Sequence, residues 1–180
     1  MIQTAAPTGL FQRTIETPLE GMIVIATDEA LVLLEFTNRR ALPTELRDVR
    51  NQFGSDPVEG ANAILDQTEQ ELAEYFAGER TEFTIPLDLK GTPFQRQVWN
   101  ELLAIPSGTT RTYGELAERV GKPGGSRAVG RANGANRIAI IVPCHRVIRT
   151  GGDLGGYGGK LWRKEWLLKH EGADGLFPVC

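Results

Sequence analysis

Apolar positions change their spacing near the middle of this chain. In the first half they fall in short blocks of strand length: 13–17, 21–27 and 31–37 are predicted as strands. Leu31-Val32-Leu33-Leu34 is almost continuous, the pattern of a strand covered on both faces. Asp28-Glu29 stands where a hairpin between the last two strands would turn, without the usual Gly. Residues 38–60 mix charge, Pro and Gly and show no period. A helix is predicted over 62–77, with Ile64, Leu65, Thr68, Leu72, Tyr75 and Phe76 on one stripe and Gly78 as its stop. Phe83, Ile85 and Leu87 alternate as a short strand would.

Beyond residue 90 the spacing becomes helical and the punctuation clear. Thr92 is an expected N-cap, Pro93 the first helical residue, and Phe94, Val98 and Leu102 follow on one face until Pro106-Ser107-Gly108. Thr112 and Glu115 form a capping box for a short helix to Val120. After the turn at 121–125, Ser126 is expected to cap a second short helix ending at Gly134. Two short helices joined by a Gly-containing turn fit a helix-turn-helix, as they fit many other helical pairs. Residues 138–142 read as an apolar strand leading into Pro143-Cys144-His145-Arg146. A glycine-rich loop with Tyr157 follows over 151–159, and a last helix over 160–171 stops at Gly172.

Charge divides the chain at the same place. Residues 1–88 hold 16 acidic and 6 basic side chains, net −10; residues 89–180 hold 7 acidic and 14 basic, net +7. We therefore expect an α/β domain over 1–88 and a mostly α domain over 89–180. The basic half is either a solvated surface or the face that meets an anionic partner. No apolar run is long enough to span a bilayer, and the first ten residues lack a signal-peptide pattern, so a cytoplasmic location is expected. Two cysteines, Cys144 and Cys180, are too few for a disulfide scaffold, and two histidines without a Cys-x-x-Cys pair form no zinc pattern.

Cys144 is the residue most able to do chemistry. A cysteine attacks as thiolate and needs a base or positive surroundings, which His145 and Arg146 could supply. In an extended segment neighbours point to opposite sides, so His145 would need a turn at Pro143, or a water, to serve Cys144. The dipeptide alone fits a buried core cysteine better, since free Cys is among the most buried residue types. Glu171 closes the last helix, where the helix dipole disfavours a carboxylate, so it is either held there by a partner such as His145 or simply solvated.

Ile141-Val142-Pro143-Cys144-His145-Arg146-Val147-Ile148 resembles the active-site run of the methylated-DNA–protein-cysteine methyltransferases, the 6-O-alkylguanine-DNA alkyltransferases. Six further motifs match in order and spacing: Gly91-Thr92-Pro93-Phe94-Gln95, Ile105-Pro106-Ser107-Gly108, Thr112-Tyr113-Gly114, Arg127-Ala128-Val129-Gly130, Gly156-Tyr157-Gly158-Gly159 and Lys164-Glu165-Trp166-Leu167-Leu168. Together they cover residues 91–172. The first half is similar in layout only.

The resemblance implies a small ribonuclease-H-like sheet with helix in the first domain and a helix-turn-helix in the second. It implies irreversible, single-turnover transfer of an alkyl group from 6-O-alkylguanine, and from 4-O-alkylthymine, in double-stranded DNA to Cys144. His145 would act as base through a water, Glu171 would orient it, Tyr113 would protonate the leaving guanine and Asn136 would brace the Cys144 turn. Arg127 would enter the minor groove and replace the extruded base. Ala128, Gly130, Arg131 and Ala132 would lie along the DNA, and Leu154, Gly155, Gly156, Tyr157 and Gly158 would line the base pocket. No cofactor, metal or membrane is implied, and the free protein is expected to be a monomer. Arg137 stands where the family usually has Pro, and Arg131 where a small residue is usual, so the brace and the groove contact are the points of departure. Two rival readings remain. A non-catalytic alkyltransferase-like damage binder would lack the acceptor cysteine, and a Cys-His-Glu hydrolase would give Arg127 no task.

Overall fold

The computed structural model describes residues 9–173 and residue 175. Cys180 and residues 1–8, which carry most of the leader expectation, lie outside them. The chain divides between Asp88 and Leu89 into two units.

The first unit is a four-stranded sheet in the order β3-β2-β1-β4, built from β1 (Phe11–Ile15), β2 (Met22–Ala26), β3 (Leu31–Phe36) and β4 (Val58–Glu59). The first three strands run antiparallel in sequence and β4 joins β1 in parallel. All six residues of β3 are buried, as its continuous apolar run requires. Thr27 makes the hairpin turn without Gly: its hydroxyl accepts from Glu29 N and Ala30 N at 3.2 and 3.1 Å. Helix α1 (Leu42–Phe53) occupies the stretch without a clear period. It buries Leu42 and Val49 against Leu10, Ile25, Val32 and Leu33 and has no side-chain cap. Helix α2 (Ala63–Phe76) begins at Asn62, whose Oδ1 accepts from Leu65 N at 2.9 Å. The strand expected at 83–87 does not form. Leu87 makes one bridge to Leu31, and Pro86, which has no N–H, offers only its carbonyl to Leu31 N at 2.8 Å.

The second unit packs three helices together: α3 (Pro93–Leu103), α4 (Tyr113–Arg119) and α5 (Ser126–Gly134). Thr92 and Gln95 form one reciprocal cap and Thr112 and Glu115 another; such caps contribute roughly 1 kcal/mol each. Ser126 does not cap α5. Gly125 holds that position without a side-chain bond, and the helix is held by packing instead. Trp99 Nε1 donates to Ala132 O at 2.8 Å and ties α3 to α5. A parallel pair, β5 (Arg111–Thr112) with β6 (Val147–Ile148), aligns Thr112 with Ile148. That register brings the start of α4 beside the segment leaving Cys144. Helix α6 (Leu161–His170) closes the unit, with Glu171 at its C-cap. No helix among the described residues is long and apolar enough to cross a membrane.

Candidate active site

The expected strand at 138–142 is instead a buried, tightly turned segment. Val142 N reaches back to Ile138 O at 3.0 Å, and Ile141 N to Ala139 O at 2.8 Å. Ile140 has φ 72°, where a β-branched residue costs roughly 1–2 kcal/mol. A short apolar run does not distinguish such a coil from a strand. The carboxamide of Asn136, 2% exposed, organises the segment. Its Oδ1 accepts from Ile138 N at 3.0 Å, and its Nδ2 lies 2.9 Å from Val142 O and 3.2 Å from Cys144 Sγ. Asn133 Nδ2 donates to Cys144 O at 3.3 Å. Asn136 thus reaches the cysteine turn with Arg137, not Pro, following it.

Cys144 opens a 3-10 turn, Cys144–Arg146, immediately after Pro143. The turn removes the opposite-sides geometry of an extended chain. Cys144 is buried and forms no disulfide among the described residues. His145 is fully buried, with Nε2 2.8 Å from Glu171 Oε1. Its Nδ1 has no hydrogen-bond partner among the described residues. Arg146 donates Nε to Glu171 Oε2 and Nη2 to Glu171 Oε1, both at 2.9 Å, and Nη1 to Ile105 O at 2.6 Å. Burial alone would lift the Glu171 carboxyl. The hydrogen bond from His145 and the hydrogen bonds and charge of Arg146 outweigh it and hold Glu171 well below the usual carboxylate range. Burial pushes His145 below its ordinary value against the pull of Glu171. The pair is therefore a neutral imidazole and a carboxylate at pH 7. Since an ionised carboxylate only accepts, Nε2 carries the hydrogen and Nδ1 keeps its lone pair.

Lys164 is fully buried. Its ammonium donates to the carbonyls of Val147, Leu154 and Gly156, which uses all three N–H bonds and ties the glycine-rich loop to β6. Burial brings its pKa down to about 8, and Cys144 pulls the other way. Arg163, also fully buried, donates Nη1 to Gly159 O at 3.0 Å.

A cleft of about 470 Å³ is lined by Tyr113, Gly114, Ser126, Arg127, Gly130, Arg149, Thr150 and Gly156, and by none of Cys144, His145 and Arg146. Burial raises the Tyr113 phenol, the Cys144 sulfur adds to the rise and Arg149 opposes it. Tyr113 is therefore a protonated donor at pH 7, close enough to Cys144 to feel its charge. Gly155 has φ 68°, and a Cβ there would sit 3.5 Å from Tyr113 Oη, so the loop passes close by the phenol.

The expected residues separate into three groups. Asn136 with Cys144 and His145 with Glu171 form two hydrogen-bonded pairs, joined through the chain at Cys144-His145. Tyr113, Arg127, Gly130 and Gly156 share the cleft. Ala132 belongs to neither: it is 3% exposed and its carbonyl is taken by Trp99, so it faces the helix core and not a ligand. Arg127 and Arg131 are exposed on α5 and Ala128 is half-buried. Leu154 packs inward against Ile148, Leu168 and Ala173 and is not a lining residue of the cleft; Gly158 is exposed and Tyr157 half-buried. Among the described residues, no group of three His, Cys, Asp or Glu could hold a metal ion.

Lys164 and Asn133 received no role from the sequence, and Arg146 only that of a positive neighbour of Cys144, not that of a partner of Glu171. Lys164 left a signal: Lys164, Leu167, Leu168 and Glu171 follow helical spacing, so two charged residues sit in the apolar stripe of α6.

Two family models match the chain: the DNA-binding domain of 6-O-methylguanine DNA methyltransferase over residues 93–173, and the ribonuclease-like domain of the same family over residues 10–89. A methylated-DNA–protein-cysteine methyltransferase of Mycolicibacterium paratuberculosis is 47% identical, covering 88% of this chain and 90% of its own. The protein of that name from Shigella flexneri is 43% identical, covering 91% and 96%. Among solved structures, Mycobacterium tuberculosis OGT in complex with DNA superposes with TM-score 0.78 at 43% identity, covering 94% of this chain and 96% of that one.

Proposed function

This chain belongs to the 6-O-methylguanine DNA methyltransferase family, and from that we propose that it repairs 6-O-alkylguanine in double-stranded DNA by moving the alkyl group onto Cys144. The observation that carries this reading is the cysteine turn. Cys144 Sγ is held by Asn136 at 3.2 Å and is followed directly by a His145–Glu171 pair whose Nδ1 is a bare acceptor.

The damaged base hides its 6-oxygen inside the duplex, so the nucleotide must be extruded into the cleft. Arg127, exposed on α5 at the cleft, takes its place in the stack from the minor groove. His145 Nδ1 accepts the Cys144 thiol proton through a water. The thiolate then forms an S–C bond as the alkyl C–O bond to guanine breaks. Tyr113 donates its phenolic proton to the departing guanine ring, and the proton on His145 returns to the phenolate through solvent. The products are guanine and a thioether. A thioether has no leaving path, so each molecule acts once, as a monomer and without a cofactor. An alkyl group on the 4-oxygen of thymine offers the same carbon electrophile and is a second substrate. A thiol that must stay reduced suits the cytoplasm.

Incubation with excess duplex carrying 6-O-methylguanine should give one restored guanine per protein and a gain of one methyl mass on the peptide containing Cys144. Many restored guanines per molecule would sink the acceptor reading. Hydrolysis of an amide without a mass gain would favour the hydrolase.

A further inference from the structure

We propose that Arg149 is a DNA contact, its guanidinium binding the phosphate beside the nucleotide extruded into the cleft. This rests on the function proposed above. Arg149 follows β6, and the Thr112–Ile148 register places it level with Tyr113. Its backbone is fixed: Arg149 N donates to Asp153 O at 2.7 Å, and Gly152 N to Arg149 O at 3.2 Å. Gly151 and Gly152, at φ 88° and 87°, allow so tight a turn. The stem lies along the loop, since a Cβ on Gly155 would meet Arg149 Cγ at 3.4 Å and Tyr113 Cε2 at the same distance.

The charged end stays outside. The side chain is 65% exposed at the rim of the cleft, and its Nη1 is 3.8 Å from Asp153 Oδ1. That pair is too long and too wet to hold the guanidinium, whereas Asp153 Oδ1 is itself fixed by Gly155 N at 2.7 Å. Asp153 therefore aims Arg149 without occupying it. A base lying against Tyr113 and Gly156 leaves its sugar and phosphate at the mouth of the cleft, where Arg149 ends. The planar fork suits a phosphate, and such a contact releases counterions. Unlike a residue that meets the intact duplex, Arg149 gains its partner only when a nucleotide has been extruded.

The test is equilibrium binding of the full chain at several salt concentrations, in a Cys144→Ala background that stops transfer. The duplexes carry either 6-O-methylguanine or guanine. Arg149→Ala should bind the damaged duplex roughly tenfold more weakly, with a log–log salt slope shallower by about 0.9, and the undamaged duplex almost normally. Arg149→Lys should keep the slope because it keeps the charge. Equal losses on both duplexes, no loss on either, or a slope that Lys does not restore would overturn the assignment. Thermal melts of both variants at wild-type temperature confirm that the exposed site tolerates the change. Methyl uptake by the wild-type protein is measured alongside; its absence overturns the functional reading itself, whatever Arg149 does.

Discussion

His145 Nε2 donates to Glu171 Oε1 across 2.8 Å, and that single bond decides which imidazole nitrogen can take a proton. Glu171 is ionised because Arg146 grips both of its oxygens. It can therefore only accept, the hydrogen stays on Nε2, and Nδ1 is left as the acceptor. Arg146 thus acts on the cysteine turn two bonds removed: it holds Glu171 as an anion, and Glu171 holds His145 in one tautomer.

Glu171→Gln should therefore slow alkylation of Cys144 by a small electrophile by about 10²-fold at pH 7, the lower range for lost acid–base assistance. It also leaves Arg146 buried without its anion, which should destabilise the second unit by roughly 3–5 kcal/mol. His145→Ala together with Glu171→Gln should be no slower than His145→Ala alone, because the two act as one unit. A double variant slower than either single one would mean that Glu171 acts independently.

Glu35 in the first unit and Glu171 in the second should make stability respond to pH in different windows and with opposite sign. Glu171 is held below its ordinary value of 4.5, so its stabilisation is complete above that pH and is lost as pH falls below it. In the first unit, burial raises Glu35 to about 7, with Glu45 adding to the rise and Arg39 opposing it. The folded state there binds a proton that the unfolded state has lost, so its stabilisation is present below 4.5 and is lost as pH rises through 7. Hydrogen exchange resolved by residue should show protection in the β3 region rising from pH 8 to 5, and protection in α6 falling below pH 4.5. Glu35→Gln should remove the first trend and leave the second.

Where sequence and structure agree, one local rule decides each element. The stripe Ile64, Leu65, Leu72, Tyr75 is α2, and Thr92 and Thr112 are caps at the expected positions. Where they differ, tertiary contacts decide. Helix α1 has no side-chain N-cap; Pro43 opens it, Gly54 closes it at φ 73°, and Leu42 and Val49 pack with Leu33 and Ile25. Residues 138–142 follow no local rule, because Asn136 supplies from outside the bonds that a strand would have made. Cys144, His145 and Glu171 were legible as chemistry. The grip of Arg146 on Glu171 and the role of Lys164 were not, because Glu171 lies 25 residues from Arg146 and the partners of Lys164 are backbone carbonyls.

Lys164→Met should separate loop order from DNA affinity. Three carbonyls lose their only charged donor, which should destabilise the protein by about 3 kcal/mol and loosen residues 154–156. The loop lines the cleft through Gly156, so single-turnover transfer should slow about tenfold at saturating DNA while binding to undamaged duplex stays within twofold. Equal loss of rate and of undamaged-duplex affinity would show that the whole domain, not the loop, had been disturbed.

Arg127 and Arg131 are both exposed on α5, four residues apart and so on one face. If Arg127 enters the duplex, Arg131 must lie near the backbone, and a side chain that long fits only by swinging out to a phosphate. Phosphate contacts add affinity without regard to damage. Arg131→Ala, chosen over Gly to spare the helix roughly 1 kcal/mol, should weaken damaged and undamaged duplexes alike and make the salt slope shallower by about 0.9. Arg127→Ala should slow transfer more than it weakens binding, since the work proposed for it is to replace the extruded base. Alanine at Arg149 should weaken the damaged duplex alone. Titrations of the three variants at several salt concentrations therefore give three distinct patterns. An unchanged slope for Arg131→Ala would mean that this face of α5 does not follow the backbone and that Arg127 enters the duplex from another angle.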